Sequence, residues 1–288
     1  MPPPTWLARL GVRTAAMGTV LCLGIDPDVA ALPAGLPSGL AGVERFAAMC
    51  IDAAGPHAAA VKVNLAFFEA WGSPGVAALE RVRARIPADL PFIADAKRGD
   101  IGSTSARIAE AVFDRLDAHA VTANPYLGAD ALAPLLERAD RHVFLLCRTS
   151  NPGAGELQDL VVREDPMLGA PAETFALRVA RRAASWARHP GTVGLVVGAT
   201  APEEIARIRA VAPTLPFLVP GVGTQGGDAE RALMDGPASA GPAAALAGGG
   251  LLVNVSRGIA GAALGAADPA AAIAAAAERW AAILRVLR

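Results

Sequence analysis

FIADAKRGDIGSTS (Phe92–Ser105) opens as an apolar run behind Pro91 and closes in a cluster of charge. The run reads as a short buried strand. Gly99 breaks the pattern, and a helix is expected to open after Gly102 with Ser103 or Ser105 as its cap. Alternate side chains of a strand share a face, so Asp95 and Lys97 are expected to point the same way, with Asp100 on the turn three residues later. Delivering carboxylate, ammonium and carboxylate at the end of an apolar strand is costly for stability alone. A surface ion network would also explain D-x-K-x-x-D taken by itself, but composition favours function. Of 26 Lys+Arg, only Lys62 and Lys97 are lysine. Lysine offers a compact ammonium that can give up a proton, which arginine does not.

Working outward, eight apolar runs alternate with helical stretches: 20–25, 59–63, 92–96, 118–123, 143–147, 192–197, 216–219 and 251–255. Strands apolar on both faces, repeated eight times with helices between, predict a closed parallel barrel, the (βα)8 TIM barrel, as a single domain. A doubly wound open sheet is the alternative, but no G-x-G-x-x-G follows an early strand. Residues 1–19 are expected as an N-terminal extension. Residues 235–250, rich in Gly, Ala and Pro, are expected as a low-complexity linker within the barrel. Residues 148–170 are expected as a long loop, either a functional lid or mobile.

Chemistry in such a barrel gathers at the C-terminal strand ends. Asp26, Lys62, Asn64, Asp95, Lys97, Asn124, Ser150, Asn151, Gln225, Asn254 and Arg257 all fall there, including both lysines and all four asparagines. His119 and His142 lie at strand beginnings and read as structural. After the seventh and eighth strands come PGVGTQGGD (Pro220–Asp228) and SRGIAG (Ser256–Gly261). Glycines there let backbone N–H groups approach an anion. Arg257 supplies a planar fork for phosphate oxygens and Gln225 an amide donor.

The blocks DAKRGDI, VKVNLAFFE, PGVGTQGGD and NVSRGI resemble those of the orotidine 5'-phosphate decarboxylases, in their longer bacterial subgroup, over most of residues 20–260. The resemblance implies cofactor-free conversion of orotidine 5'-phosphate to uridine 5'-phosphate. Losing carbon dioxide leaves negative charge on C6, which Lys97 would stabilise and protonate. Asp95 and Asp100 would keep that lysine charged. The resemblance further assigns Asp26 and Lys62 to the ribose hydroxyls, Ser150 to the pyrimidine, and Gln225 and Arg257 to the phosphate. Asp100, Ile101 and Thr104 match residues that cross into a partner's site, which implies a homodimer with shared active sites.

Two other activities share parts of this pattern. Related sugar-phosphate decarboxylases and aldolases share D-x-K-x-x-D but use a divalent metal. Here His57, His119, His142 and His189 are isolated, with no metal-ligand spacing, and no metal is expected. A non-catalytic nucleotide-phosphate binder is the other; the intact Lys97 with both aspartates speaks against it. The mean hydropathy of +0.39 is inflated by alanine, and no run reaches the roughly 18 apolar residues of a membrane span. Three scattered cysteines, no signal-peptide pattern and a formal net charge of -1 predict a cytoplasmic protein that binds neither nucleic acid nor membrane.

Overall fold

The structure, a computed structural model, describes residues 3–223 and 226–286. Eight parallel strands close into a barrel in chain order: β1 (Leu21–Ile25), β2 (Ala60–Asn64), β3 (Phe92–Arg98), β4 (Ala120–Ala123), β5 (His142–Arg148), β6 (Val193–Val197), β7 (Phe217–Val219) and β8 (Leu252–Val255). Each coincides with an expected run to within two residues. The strands are buried except toward the C-terminal ends of β2, β3 and β5, because helices cover the outside of the barrel while its interior is filled with side chains, so both faces select apolar residues.

The barrel interior is closed at its lower end by α1 (Trp6–Met17), built from the stretch expected as an extension. Thr5 caps its first turn, and Gly18 ends it at φ 64, a left-handed conformation that glycine adopts without strain. Trp6, Leu7 and Leu10 pack beneath Cys22, Ile93, Phe144 and Leu252. The Trp6 ring stacks on His142 at 5.5 Å, and His142 donates through Nδ1 to Gly191 O at 2.9 Å. Polar chemistry is thereby displaced to the other, C-terminal end of the strands.

The long segment after β5 is folded. It carries a short helix, Gly155–Gln158, and a two-stranded ribbon pairing Val161–Val162 with Glu173–Thr174. Glu173, buried, receives Arg178 at 2.9 Å and Arg181 at 2.8 Å, tying the ribbon to the following helix, Phe175–Trp186. Residues 235–250 hold a helical turn, Gly241–Ala244, and bury Ala238 and Ala243. Small side chains of low sequence complexity here pack closely because their backbones can approach. Among the described residues no helix is long and apolar enough to cross a membrane.

Candidate active site

A cavity of about 450 Å³ opens at the C-terminal strand ends. Its polar wall is built by consecutive strands, each ending in one or two polar residues that its apolar interior carries to the same height. From β1 to β3 these are Asp26, Lys62, Asn64, Asp95 and Lys97; Thr122 of β4, Thr149, Ser150 and Asn151 of the β5 loop, and Asn254, Ser256 and Arg257 from β8 onward complete the polar wall.

Asp95 is the hub. Its Oδ2 accepts from Lys62 Nζ at 2.6 Å, and its Oδ1 accepts from Lys97 Nζ at 2.6 Å and from Thr122 Oγ1 at 2.8 Å. Asp95 and Lys62 are 7% and 5% exposed, whereas half of the Lys97 side chain is exposed to the cavity. Burial pushes the Asp95 carboxyl up, but the Lys62 and Lys97 charges outweigh it and hold the group well below the usual carboxylate range. Burial likewise pushes the Lys62 ammonium down, and the Asp95 and Asp26 charges reverse that, so the net shift is upward. Both groups are therefore charged, and the trio carries a net positive charge facing the cavity.

Lys97 meets Asp95 by a different route from strand alternation. Lys97 has φ 48, and the β3–β4 register shifts between Ala94 and Arg98. This bulge turns the backbone N–H groups of Ala96 and Lys97 onto Thr122 Oγ1, both at 3.0 Å, in place of the regular ladder. A left-handed lysine persists only where its surroundings over-determine it. One threonine hydroxyl accepts twice from the bulge and donates once to Asp95. Thr122 was not singled out from the sequence; its signal is a hydroxyl inside the otherwise apolar run Ala120–Ala123.

Of the other expected site residues, Asp26, Ser150 and Arg257 border the cavity. A Cβ at Gly198 would fall 3.0 Å from Ser150, so the absent side chain there lets the β5 loop lie close over β6. Arg257 is exposed and has no carboxylate partner among the described residues. Gly221 and Gly223, at φ 97 and 90, shape the adjoining loop in conformations that favour glycine. Gln225 lies outside the described residues.

Asp100, Ile101 and Thr104 are not brought into the cavity. Asp100 Oδ1 accepts from Ile101 N at 2.8 Å, and Asp100 does not reach Lys97 of its own chain, correcting any expectation that it flanks that lysine from within. Ile101 is 59% exposed, and Tyr126 and Leu127 are exposed as well. Among the described residues no three His, Cys, Asp or Glu side chains converge to hold a metal ion.

Residues 19–276 match the family described as Orotidine 5'-phosphate decarboxylase / HUMPS. An orotidine 5'-phosphate decarboxylase of Thermomicrobium roseum is 46% identical over 251 residues, 87% of this chain and 85% of that protein. One of Roseiflexus castenholzii is 46% identical over 93% of each chain. Among solved structures, OMP decarboxylase of Leishmania donovani superposes with a TM-score of 0.79 at 40% identity, covering 97% of this chain and 98% of that one.

Proposed function

Because the chain belongs to the orotidine 5'-phosphate decarboxylase / HUMPS family and decarboxylates orotidine 5'-phosphate to uridine 5'-phosphate in pyrimidine biosynthesis, we propose that Lys97 carries the chemistry within the array it forms with Asp95 and Lys62. The observation that carries this reading is the Lys97 ammonium, 2.6 Å from Asp95 yet half-exposed to the cavity.

Departure of carbon dioxide leaves an electron pair on C6 of the pyrimidine. A fixed ammonium beside C6 stabilises that charge and then delivers a proton to it, forming the C6–H bond as the amine becomes neutral. Asp95 aims Lys97, which donates to its Oδ1 at 2.6 Å. Two ammoniums flank the Asp95 carboxylate, which supports stabilisation of developing negative charge over simple repulsion of the substrate carboxylate. An unscreened carboxylate pair at about 4 Å and an effective dielectric near 20 would repel by on the order of 4 kcal/mol; here Lys62 and Lys97 offset it. One preorganised donor is worth roughly 3–4 kcal/mol, less than the about 8–23 that enzymes supply, so binding of remote substrate groups must contribute the rest.

In this reading Arg257 and Gln225 hold the phosphate over β7 and β8, Asp26 and Lys62 meet the ribose, and Ser150 meets the pyrimidine. No cofactor or metal takes part. Asp100, Ile101 and Thr104 complete the partner's site in a homodimer; their place on the rim, outside their own cavity, supports this. Three free, buried cysteines and a net charge of -1 support a reducing cytoplasm and a small-molecule substrate rather than nucleic acid or a membrane. Replacing Lys97 by Ala tests the core of the proposal: decarboxylation should be abolished while uridine 5'-phosphate still binds. Turnover within tenfold of the unmodified enzyme would remove Lys97 from the reaction.

A further inference from the structure

Two buried oxygens of the cavity wall, Asp26 Oδ1 and Asn254 Oδ1, have no hydrogen-bond partner among the described residues. A buried acceptor without a donor is costly, so both positions are built for something the protein itself does not supply. Asn254 is 7% exposed, on β8, and its Nδ2 lies at a long 3.4 Å from Ser256 Oγ.

Gly24 explains how the amide comes to face the cavity. On β1, Cys22 pairs with Asn254 of β8 and Gly24 pairs with Lys62 of β2. A Cβ at Gly24 would lie 1.9 Å from Ser256 Oγ and 2.9 Å from Asn254 Oδ1. The space a side chain would fill is thus given to these two polar groups. Gly24 is required here for close approach rather than for an unusual backbone angle.

We propose that Asn254 is a substrate-binding residue whose amide holds one hydroxyl of the ribose diol beside Asp26. The inference rests on the substrate stated above. Orotidine 5'-phosphate brings a pyrimidine N–H and two sugar hydroxyls as hydrogen-bond donors. In the reading above Ser150 of the β5 loop meets the pyrimidine, which leaves the vicinal hydroxyls for the two bare oxygens. A hydroxyl both donates and accepts, so the amide serves in either orientation of its head group.

The test measures kcat/KM for orotidine 5'-phosphate and for its 2'-deoxy and 3'-deoxy analogues in the unmodified enzyme, Asn254→Ala and Asn254→Leu. The leucine variant keeps side-chain volume should the alanine variant not fold. Each variant should lose about tenfold on the ribonucleotide, the effect of one buried hydrogen bond. On the analogue lacking the hydroxyl that Asn254 holds, variant and unmodified enzyme should be equal. An equal loss on all three substrates, or none on any, overturns the assignment. Failure of the unmodified enzyme to decarboxylate orotidine 5'-phosphate is a separate observation, and would overturn the underlying reading together with this one.

Discussion

Thr122 Oγ1 donates to Asp95 Oδ1 at 2.8 Å across the β3–β4 pair, and the same oxygen accepts the N–H groups of Ala96 and Lys97. One hydroxyl therefore fixes both the carboxylate that holds Lys97 and the left-handed backbone that presents it. Thr122→Val keeps shape but leaves two backbone donors and a carboxylate oxygen each short of a partner. A buried group left unsatisfied costs roughly 1–3 kcal/mol; Asp95 is buried and the two N–H groups are part-buried, so they lose less. The expected result is a Tm lower by several degrees and a kcat reduced about tenfold or more, both largely restored in Thr122→Ser. Thermal melts and steady-state rates check it; a valine variant with native Tm and kcat would refute the role.

Acid sensitivity should begin at the histidines, not at the active-site carboxylate. Burial, with the Arg9 and Arg83 charges, pushes His119 down to about 4, and burial pushes His142 down to about 3. His119 Nδ1 accepts from Phe92 N at 3.0 Å, a bond available only to the neutral ring and made at the first residue of β3. Each native pKa is below the unfolded value near 6.5, so the unfolded chain binds more protons between the two. Stability is thus full above about pH 6.5 and falls as pH drops toward 4, by on the order of 2 kcal/mol per histidine. Denaturant melts from pH 8 to 4.5 should show this slope, and His119→Asn should flatten it. A stability constant down to pH 4.5 would contradict the argument.

The barrel was legible because burial on both faces writes itself into strands as continuous apolar runs, and closure needs eight of them. The charged trio was legible in part: two lysines in an arginine-rich chain mark their positions. What escaped depends on contacts between distant segments. The bulge at Lys97 exists because Thr122, 25 residues on, can bond its N–H. The floor formed by Trp6 depends on His142 and Phe144, more than a hundred residues away in sequence. Asn254 stood among the rim residues, but only the folded structure shows that its Oδ1 has no partner among the described residues.

Arg257 is expected to act on binding more than on chemistry. It lies at the cavity edge with no carboxylate partner among the described residues, and a bidentate guanidinium–phosphate contact is charge-assisted. Arg257→Ala should lower kcat/KM roughly 10- to 100-fold, in line with about 1.5–3 kcal/mol for a charged hydrogen bond. Affinity for uridine, which lacks the phosphate, should not change. Isothermal titration with uridine and uridine 5'-phosphate separates the two effects; equal loss for both ligands would remove the phosphate assignment.

Asp100 allows the shared-site proposal to be tested without a structure of the dimer. Within one chain it lies on the turn after β3, bonded to Ile101 N and outside the cavity that holds Lys97. If it serves its partner, a dimer of Lys97→Ala with Asp100→Ala contains one site that lacks both groups and one that lacks neither. Each variant alone should be nearly inactive. Mixed by co-expression or by dissociation and reassociation, they should recover roughly a quarter of native activity, since about half of the dimers are mixed and each has one intact site. The recovered activity should scale with the mixed-dimer fraction measured by native mass spectrometry. If Asp100 acted only within its own chain, both sites of the mixed dimer would stay crippled and no activity would return.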